Sequence, residues 1–451
     1  MTIGNRQHDV LLHCEEPLPK DDLAAPLLNY PMGKGQPVSP SAASETQSEG
    51  PRKVLLIPWA ASFVLICFFW DLGRSSMAFL APYYTNAETK DAPKVGRVGA
   101  AGFLFCVMGP WLGGFSDSFE RKVIIAGGFA VMAATTATVA ALEYQGNASY
   151  ELMYLAMPLL SICTVLDTTS RMPLLLDLLA DSGQEHYLGS VVAVRVVGYN
   201  LARALGGQLV GVAVEMTGVA GSFLIVSMVF MAGFLLSARM PRFPKSGTLG
   251  AVHEVVGPES NTWRRLCTRP LISVVGVTVF GCLFYWSCFP QLAGLGEQLG
   301  ADPAEIGMLA SAPFWGGLLV AAILVHCNPK RTGIVYCTGM IGAHVAMIGV
   351  SADSYLIVLL SLFTAGAFVG FFSTVQNAMV LAMVPGDLRG RAMGLLTFCI
   401  GALPFGMAFI GELAGEIGIS RAIRCFAVLG VLAQVLWLTM LPEAWRVERP
   451  V

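Results

Sequence analysis

The chain has 451 residues, of which 55% are hydrophobic and 13% charged, about half the charged share of an ordinary soluble domain. So little polar surface cannot cover so much apolar bulk, which excludes a soluble enzyme. Lys and Arg number 28 against 30 Asp and Glu, a net charge of −2, and such a balance offers no global basic face for nucleic acid.

Residues 1–53 are polar and rich in Pro, Ser and Gly. They cannot bury enough apolar surface to fold and read as a disordered cytosolic tail. No apolar core precedes residue 54, so the segment is not a signal peptide. Twelve apolar runs follow, at 54–80, 95–115, 123–142, 152–175, 189–213, 220–238, 270–293, 304–326, 333–351, 354–384, 391–413 and 421–442. Roughly 20 apolar residues as a helix cross about 30 Å of hydrocarbon. The runs are continuous rather than alternating, which favours helices over barrel strands. The predicted fold class is an all-α membrane protein with 12 transmembrane helices. Its six-helix bundles, 54–238 and 270–442, are joined by a cytosolic linker, 239–269, and followed by a short cytosolic tail, 443–451.

Basic residues give the orientation. Nineteen of the 28 Lys and Arg lie in the tails, the linker and the loops on one side, five (Lys90, Lys94, Arg97, Arg421, Arg424) lie on the other, and four arginines remain inside spans. Both termini are therefore expected in the cytosol. The 11 cysteines avoid the outside loops, so no external disulfide is expected. No Cys-x-x-Cys or His/Cys cluster has metal-ligand spacing, and neither a metal nor a cofactor is expected. One sequon, Asn147-Ala148-Ser149, falls in an outside loop and is a glycosylation candidate in a secretory-pathway membrane.

An internal repeat appears at an offset of 200. Leu188, Gly206 and Gly218 fall on Leu388, Gly406 and Gly418, so spans five and eleven overlay. Two parallel six-helix repeats around a midplane site are a recurrent transporter plan.

Between spans two and three stands Gly113-Gly114-Phe115-Ser116-Asp117-Ser118-Phe119-Glu120-Arg121-Lys122. It resembles the loop signature of the major facilitator superfamily, Gly-x-x-x-Asp-(Arg/Lys)-x-Gly-Arg-(Arg/Lys). Gly113, Asp117, Arg121 and Lys122 match, while Ser118 and Glu120 depart from the basic residue and the glycine. Asp167-Thr168-Thr169-Ser170-Arg171 in span four and Asn200-Leu201-Ala202-Arg203 in span five look like the drug and siderophore exporter branch (drug:proton antiporters and enterobactin exporters). So do Pro385-Gly386-Asp387-Leu388-Arg389 and Pro404-Phe405-Gly406 in the second half. Gly207 stands where that branch usually has proline. The resemblance covers about 54–442 and implies alternating access, with Gly113, Asp117, Arg121 and Lys122 at a cytosolic gate.

Ionisable groups at membrane depth are costly and mark function by default. Asp71 and Arg74 share a face of span one. They fit either a proton-coupling site or a static pair. Arg195, Tyr199 and Arg203 form an i, i+4, i+8 stripe covering about 80° of span five. Arg203 cannot deprotonate, so it must meet water, an acid, a carbonyl or an anionic substrate. Asp167 and Arg171, one turn apart, read as a gate or structural pair. Gln376 and Asn377 in span ten, His344 and Glu412 are weaker cavity candidates, and the aromatics of spans one and seven suit a partly apolar ligand.

The expected function is a secondary active transporter that moves a small organic molecule, with protons as coupling ion and efflux as direction. Importing a sugar, organic acid or nutrient is the alternative. A membrane receptor or scaffold that retains the fold without transporting is the alternative of another class. An intramembrane enzyme is not expected, because no catalytic constellation stands at facing positions. The expected setting is an integral multi-pass protein, monomeric in the bilayer, in a plasma membrane, a bacterial inner membrane or an endomembrane.

Overall fold

The computed structural model describes residues 58–109, 112, 119–184, 187–240, 266–327, 330–384 and 388–448. Gly113 and Asp117 of the loop signature lie outside them. The first half comprises α1 (Pro58–Thr89), α2 (Ala92–Ala101), α3 (Arg121–Tyr144), α4 (Tyr150–Asp181) and α5 (Leu188–Arg239). The second comprises α6 (Arg269–Phe280), α7 (Leu292–Gln298), α8 (Pro303–Cys327), α9 (Thr332–Ile348), α10 (Tyr355–Ala382), α11 (Arg389–Cys399), α12 (Leu403–Ile417) and α13 (Ile419–Met440). Ten helices among the described residues are long and apolar enough to cross a membrane.

The expectation of twelve separate spans departs from this in two places. Runs 189–213 and 220–238 continue through α5, where Gly218 has φ 71° and ψ −179°. Only glycine takes that backbone without a Cβ penalty, so the chain turns there without a loop. The run 95–115 gives α2, a 3₁₀ stretch over Leu104–Met108, and then residues outside those described. Gly96, Gly99 and Gly102 deprive that run of helix propensity. The seventh run is also broken, by a π turn over Gly281–Tyr285 and a 3₁₀ stretch over Trp286–Gln291 that contains Pro290. Gly418, between α12 and α13, has φ 89° and so repeats the device at Gly218.

Apolar packing gathers into two main cores. One draws almost wholly on residues 60–240, the other on 266–444. Trp70 anchors the first, with its ring edge-on to Phe129 at 5.2 Å. Tyr336 stacks on Phe372 at 4.8 Å in the second.

The halves meet along two glycine seams. A Cβ built at Gly96 would lie 2.8 Å from the Cα of Gly411, and one at Gly211 would lie 2.9 Å from the Cα of Gly307. Gly211 and Gly411 are again 200 residues apart. Small residues at these points let backbones touch, which is how helices associate in lipid.

Close approach also holds the second half together. A Cβ on Gly316 would fall 2.0 Å from the carbonyl oxygen of Phe363 on α10, whereas one on Gly127 meets nothing within 4 Å. Gly316→Val should therefore push α8 from α10 and cost about 1–3 kcal/mol. Gly127→Ala should be neutral or mildly stabilising. Thermal unfolding of the detergent-solubilised protein separates the two, and equal melting temperatures would refute the packing assignment.

Candidate functional site

The charged interior is built on α1, α4 and α5. Asp167 and Arg171 lie one turn apart on α4, and Arg171 Nε donates to the Asp167 carboxylate at 2.8 Å. Its Nη1 donates to Asp71 Oδ2 on α1 at 3.3 Å. All three side chains are buried, and the guanidinium lies 5.9 Å from the centre of the Trp70 ring. Arg74 Nε stands 3.9 Å from Asp71 Oδ1 and beside the hydroxyl of Tyr199. Arg203 Nη1 donates to that hydroxyl at 2.8 Å. Asp167, Arg171, Asp71, Arg74, Tyr199 and Arg203 thus form one chain of contacts across three helices. Two carboxylates sharing one guanidinium repay part of its desolvation, although Arg171 Nη2 is buried with no partner among the described residues.

The far end of this chain reaches a cavity of about 40 Å³ between the halves. Asn200 and Arg203 enter it from α5. Tyr285, Trp286, Phe314 and Ser373 enter from the second half. The Arg203 guanidinium lies 4.2 Å from the Phe314 ring centre and 5.0 Å from that of Trp286, within cation–π range.

One end of the molecule is tied shut across the halves. Asn86 donates to Glu297 Oε2 at 2.8 Å and Lys90 pairs with the same carboxylate. Arg97 Nε donates to Glu412 Oε1 at 2.9 Å, and Gln291 donates to the Ala92 carbonyl at 3.0 Å. Nearer the middle, Gln208 N donates to Ser311 Oγ at 3.0 Å. At the opposite end, ion pairs among the described residues stay within a half. Arg121 pairs with Asp177, Lys122 Nζ donates to the Ala238 carbonyl at 3.0 Å, and Arg269 pairs with Glu443.

The residues singled out from the sequence separate into groups. Asp71, Arg74, Asp167, Arg171, Tyr199 and Arg203, read as two sites and a stripe, form one network. Arg195 lies on the same α5 stripe but reaches Met172 Sδ at 3.8 Å, and its buried Nε has no partner among the described residues. Gln376 donates to Thr278 Oγ1 at 2.8 Å, a bond within the second half, and Asn377 is exposed. His344 is buried with Nδ1 on the Met340 carbonyl. Glu412 belongs to the cross-half pair with Arg97. Asn147 is exposed in the connection from α3 to α4. Sequence reasoning missed Phe314, Lys90, Arg97 and Glu297 as partners. Only complementary charge at span ends on opposite halves could have signalled the last three.

Removing one partner of a buried ion pair costs more than removing both. Asp167→Asn and Asp71→Asn should each destabilise the protein, by up to about 3–5 kcal/mol, because each leaves Arg171 with one carboxylate in place of two. Adding Arg171→Gln to Asp167→Asn should recover much of the loss. Additive losses in this double-mutant cycle of unfolding free energies would show that Asp167 and Arg171 are not one unit.

A profile of the Major Facilitator Superfamily matches residues 63–292 and again 274–450. No curated protein matches the chain by sequence. Solved structures with a similar fold include the nucleoside transporter NupG, at 13% identity and TM-score 0.66, covering 84% of this chain and 98% of that one. A POT family transporter in complex with 5-aminolevulinic acid is similar at 11% identity and TM-score 0.67, covering 86% and 96%. A bacterial homologue of the human lysosomal transporter Spinster, in an inward-facing and occupied conformation, is similar at 13% identity and TM-score 0.65, covering 86% and 95%. With an all-helical fold, ten apolar helices and profile matches over most of its length, this chain is an integral multi-pass membrane protein belonging to the Major Facilitator Superfamily.

Proposed function

We propose that the protein is a secondary active transporter that moves a small organic molecule by alternating access, as a proton-coupled exporter. In this reading residues 54–238 and 270–442 are two six-helix bundles joined by a cytosolic linker, with both termini cytosolic and α5 counting as two of twelve spans. The monomer works in a plasma membrane, a bacterial inner membrane or an endomembrane. The observation that carries the reading is the asymmetry between the two ends. Cross-half pairs gather at the end holding Lys90, Arg97, Glu297 and Glu412, and among the described residues the end holding Arg121 and Asp177 has none. By the distribution of basic residues the tied end is the outer one, and in this reading the opposite end is the one that parts towards the cytosol.

Lys90 and Glu297 are both exposed, as are Arg97 and Glu412, and exposed pairs contribute at most about 1 kcal/mol each. Such a latch can open and close repeatedly. The seams between Gly96 and Gly411 and between Gly211 and Gly307 let the bundles rock as rigid bodies around the cavity. Asp71 and Asp167 are the proton-exchange candidates. Protonation of either removes half of the compensation holding Arg171, so proton occupancy and helix position become linked. Arg121 and Lys122, with Gly113 and Asp117 of the loop signature, serve the cytosolic gate. The resemblance of the span four and five sequences to drug and siderophore exporters supports the outward direction.

Two outcomes follow. After a substrate is found by thermal-shift screening, Asp71→Asn in proteoliposomes should abolish accumulation driven by a pH gradient while leaving counterflow exchange intact. A variant that still accumulates substrate would sink the proton role of Asp71. Combining Arg97→Ala with Glu297→Ala should widen the distance distribution between spin labels placed at positions 88 and 416 towards separated halves. A distribution identical to wild type would mean that these pairs do not hold the outer end.

A further inference from the structure

The interior charges do not balance. Around the network on α1, α4 and α5, four arginines, Arg74, Arg171, Arg195 and Arg203, stand against two carboxylates, Asp71 and Asp167, a surplus of two positive charges. Among the described residues no carboxylate lies within ion-pair distance of Arg203 or Arg195. Arginine stays charged at any accessible pH, and an uncompensated guanidinium at membrane depth is expensive. Protonation of the aspartates would only enlarge the surplus.

Arg203 is the surplus charge that faces the cavity. Tyr199 accepts one of its donors, and none of its remaining nitrogens is among the buried groups without a partner. Arg203 lines the cavity, which is where its remaining donors can meet a ligand. Across from it Tyr285 is fully buried, and its hydroxyl has no hydrogen-bond partner among the described residues. A buried hydroxyl without a partner carries a penalty that an incoming acceptor would relieve. Guanidinium and phenol together present donors to one anionic headgroup, and the planar fork of arginine matches a carboxylate.

The walls define the rest of the ligand. Trp286 and Phe314 lie nearly parallel, 14° apart with centres 6.1 Å from each other. Gly317, Gly366 and Gly370 also line the cavity, where α8 and α10 pack backbone against backbone. The parallel faces of Trp286 and Phe314 suit a planar body, and among the described residues the lining holds no carboxylate to neutralise an amine. In this conformation the cavity has headgroup dimensions, so the ring system would extend along Trp286 and Phe314 as the halves separate.

We propose that the transported substrate is a small planar aromatic carboxylate, bound through its carboxylate to Arg203 and Tyr285. The proposal rests on the transporter reading above and gives that site its ligand class.

Full-length protein in detergent, titrated calorimetrically with 2-naphthoate, 2-naphthamide and 2-naphthylmethylammonium, tests it. Naphthoate should bind about tenfold or more tighter than the isosteric amide, and the ammonium weakest, because a charge-assisted pair is stronger than a neutral one. Arg203→Gln should erase the preference for naphthoate over the amide. Tyr285→Phe, which preserves the ring packing, should weaken naphthoate about three- to tenfold while leaving the amide nearly unchanged. If Arg203→Gln does not fold, Arg203→Lys, which keeps the charge and loses the fork, should still narrow the preference. Equal binding of naphthoate and amide, tightest binding of the ammonium, or an unaltered preference in the folded Arg203 variant would overturn the proposal. Spin-label distances across the outer end separate this from the parent reading. Distances that change with another solute while naphthoate fails to bind reject the anion class alone. Naphthoate bound as described, with distances fixed under every solute and no counterflow, rejects transport alone.

Discussion

Everything in the interior follows from the cost of placing Arg171 in an apolar medium. A guanidinium cannot shed its charge, so the fold must bring carboxylates to it. Asp167 comes from one turn away on α4, and Asp71 must come from α1. That demand fixes how α1 lies against α4. Through Arg74 and Tyr199 it extends to α5. Trp70, next to Asp71 in sequence, packs against Phe129 and Phe230, so aromatic packing and ion pairing position the same stretch of α1.

The architecture around this cluster uses backbone freedom where charge has no part. Glycine seams join the halves, and left-handed glycines reverse the chain at residues 218 and 418. The π turn and Pro290-containing 3₁₀ stretch interrupt the seventh run where Tyr285 and Trp286 reach the cavity. Non-helical backbone at membrane depth is tolerated where it is buried in protein or lines a cavity, and here it aims aromatic side chains at Arg203. The ion pairs at one end are exposed and individually weak, whereas the Arg171 pairs are buried. The molecule therefore has a durable interior and a yielding rim.

Much of this was legible in the sequence. Low charge and continuous apolar runs specify membrane helices, and the loop signature with its six-plus-six layout points to the superfamily. The interior charges were visible because an ion in an apolar run has no trivial explanation. Their pairing was not visible. Asp71 and Arg171 are 100 residues apart, and periodicity within a helix says nothing about which faces meet, so Asp71–Arg74 looked like a site of its own. The rim pairs escaped for the opposite reason: Lys90 and Glu297 lie at span ends, where charge is ordinary. Gly218 marked a repeat position but carried no warning that helix would run up to it and resume directly beyond it, with no loop between, in α5.

The glycine seams have one more consequence, for the lipid. At Gly96 against Gly411 and at Gly211 against Gly307 a single Cβ would already collide with the opposing backbone. An acyl chain is wider than a methyl group, so neither seam leaves a fissure through which hydrocarbon could seep inward from the side. At that depth the protein is caulked against its own solvent, and the join between the halves is closed to lipid along both seams.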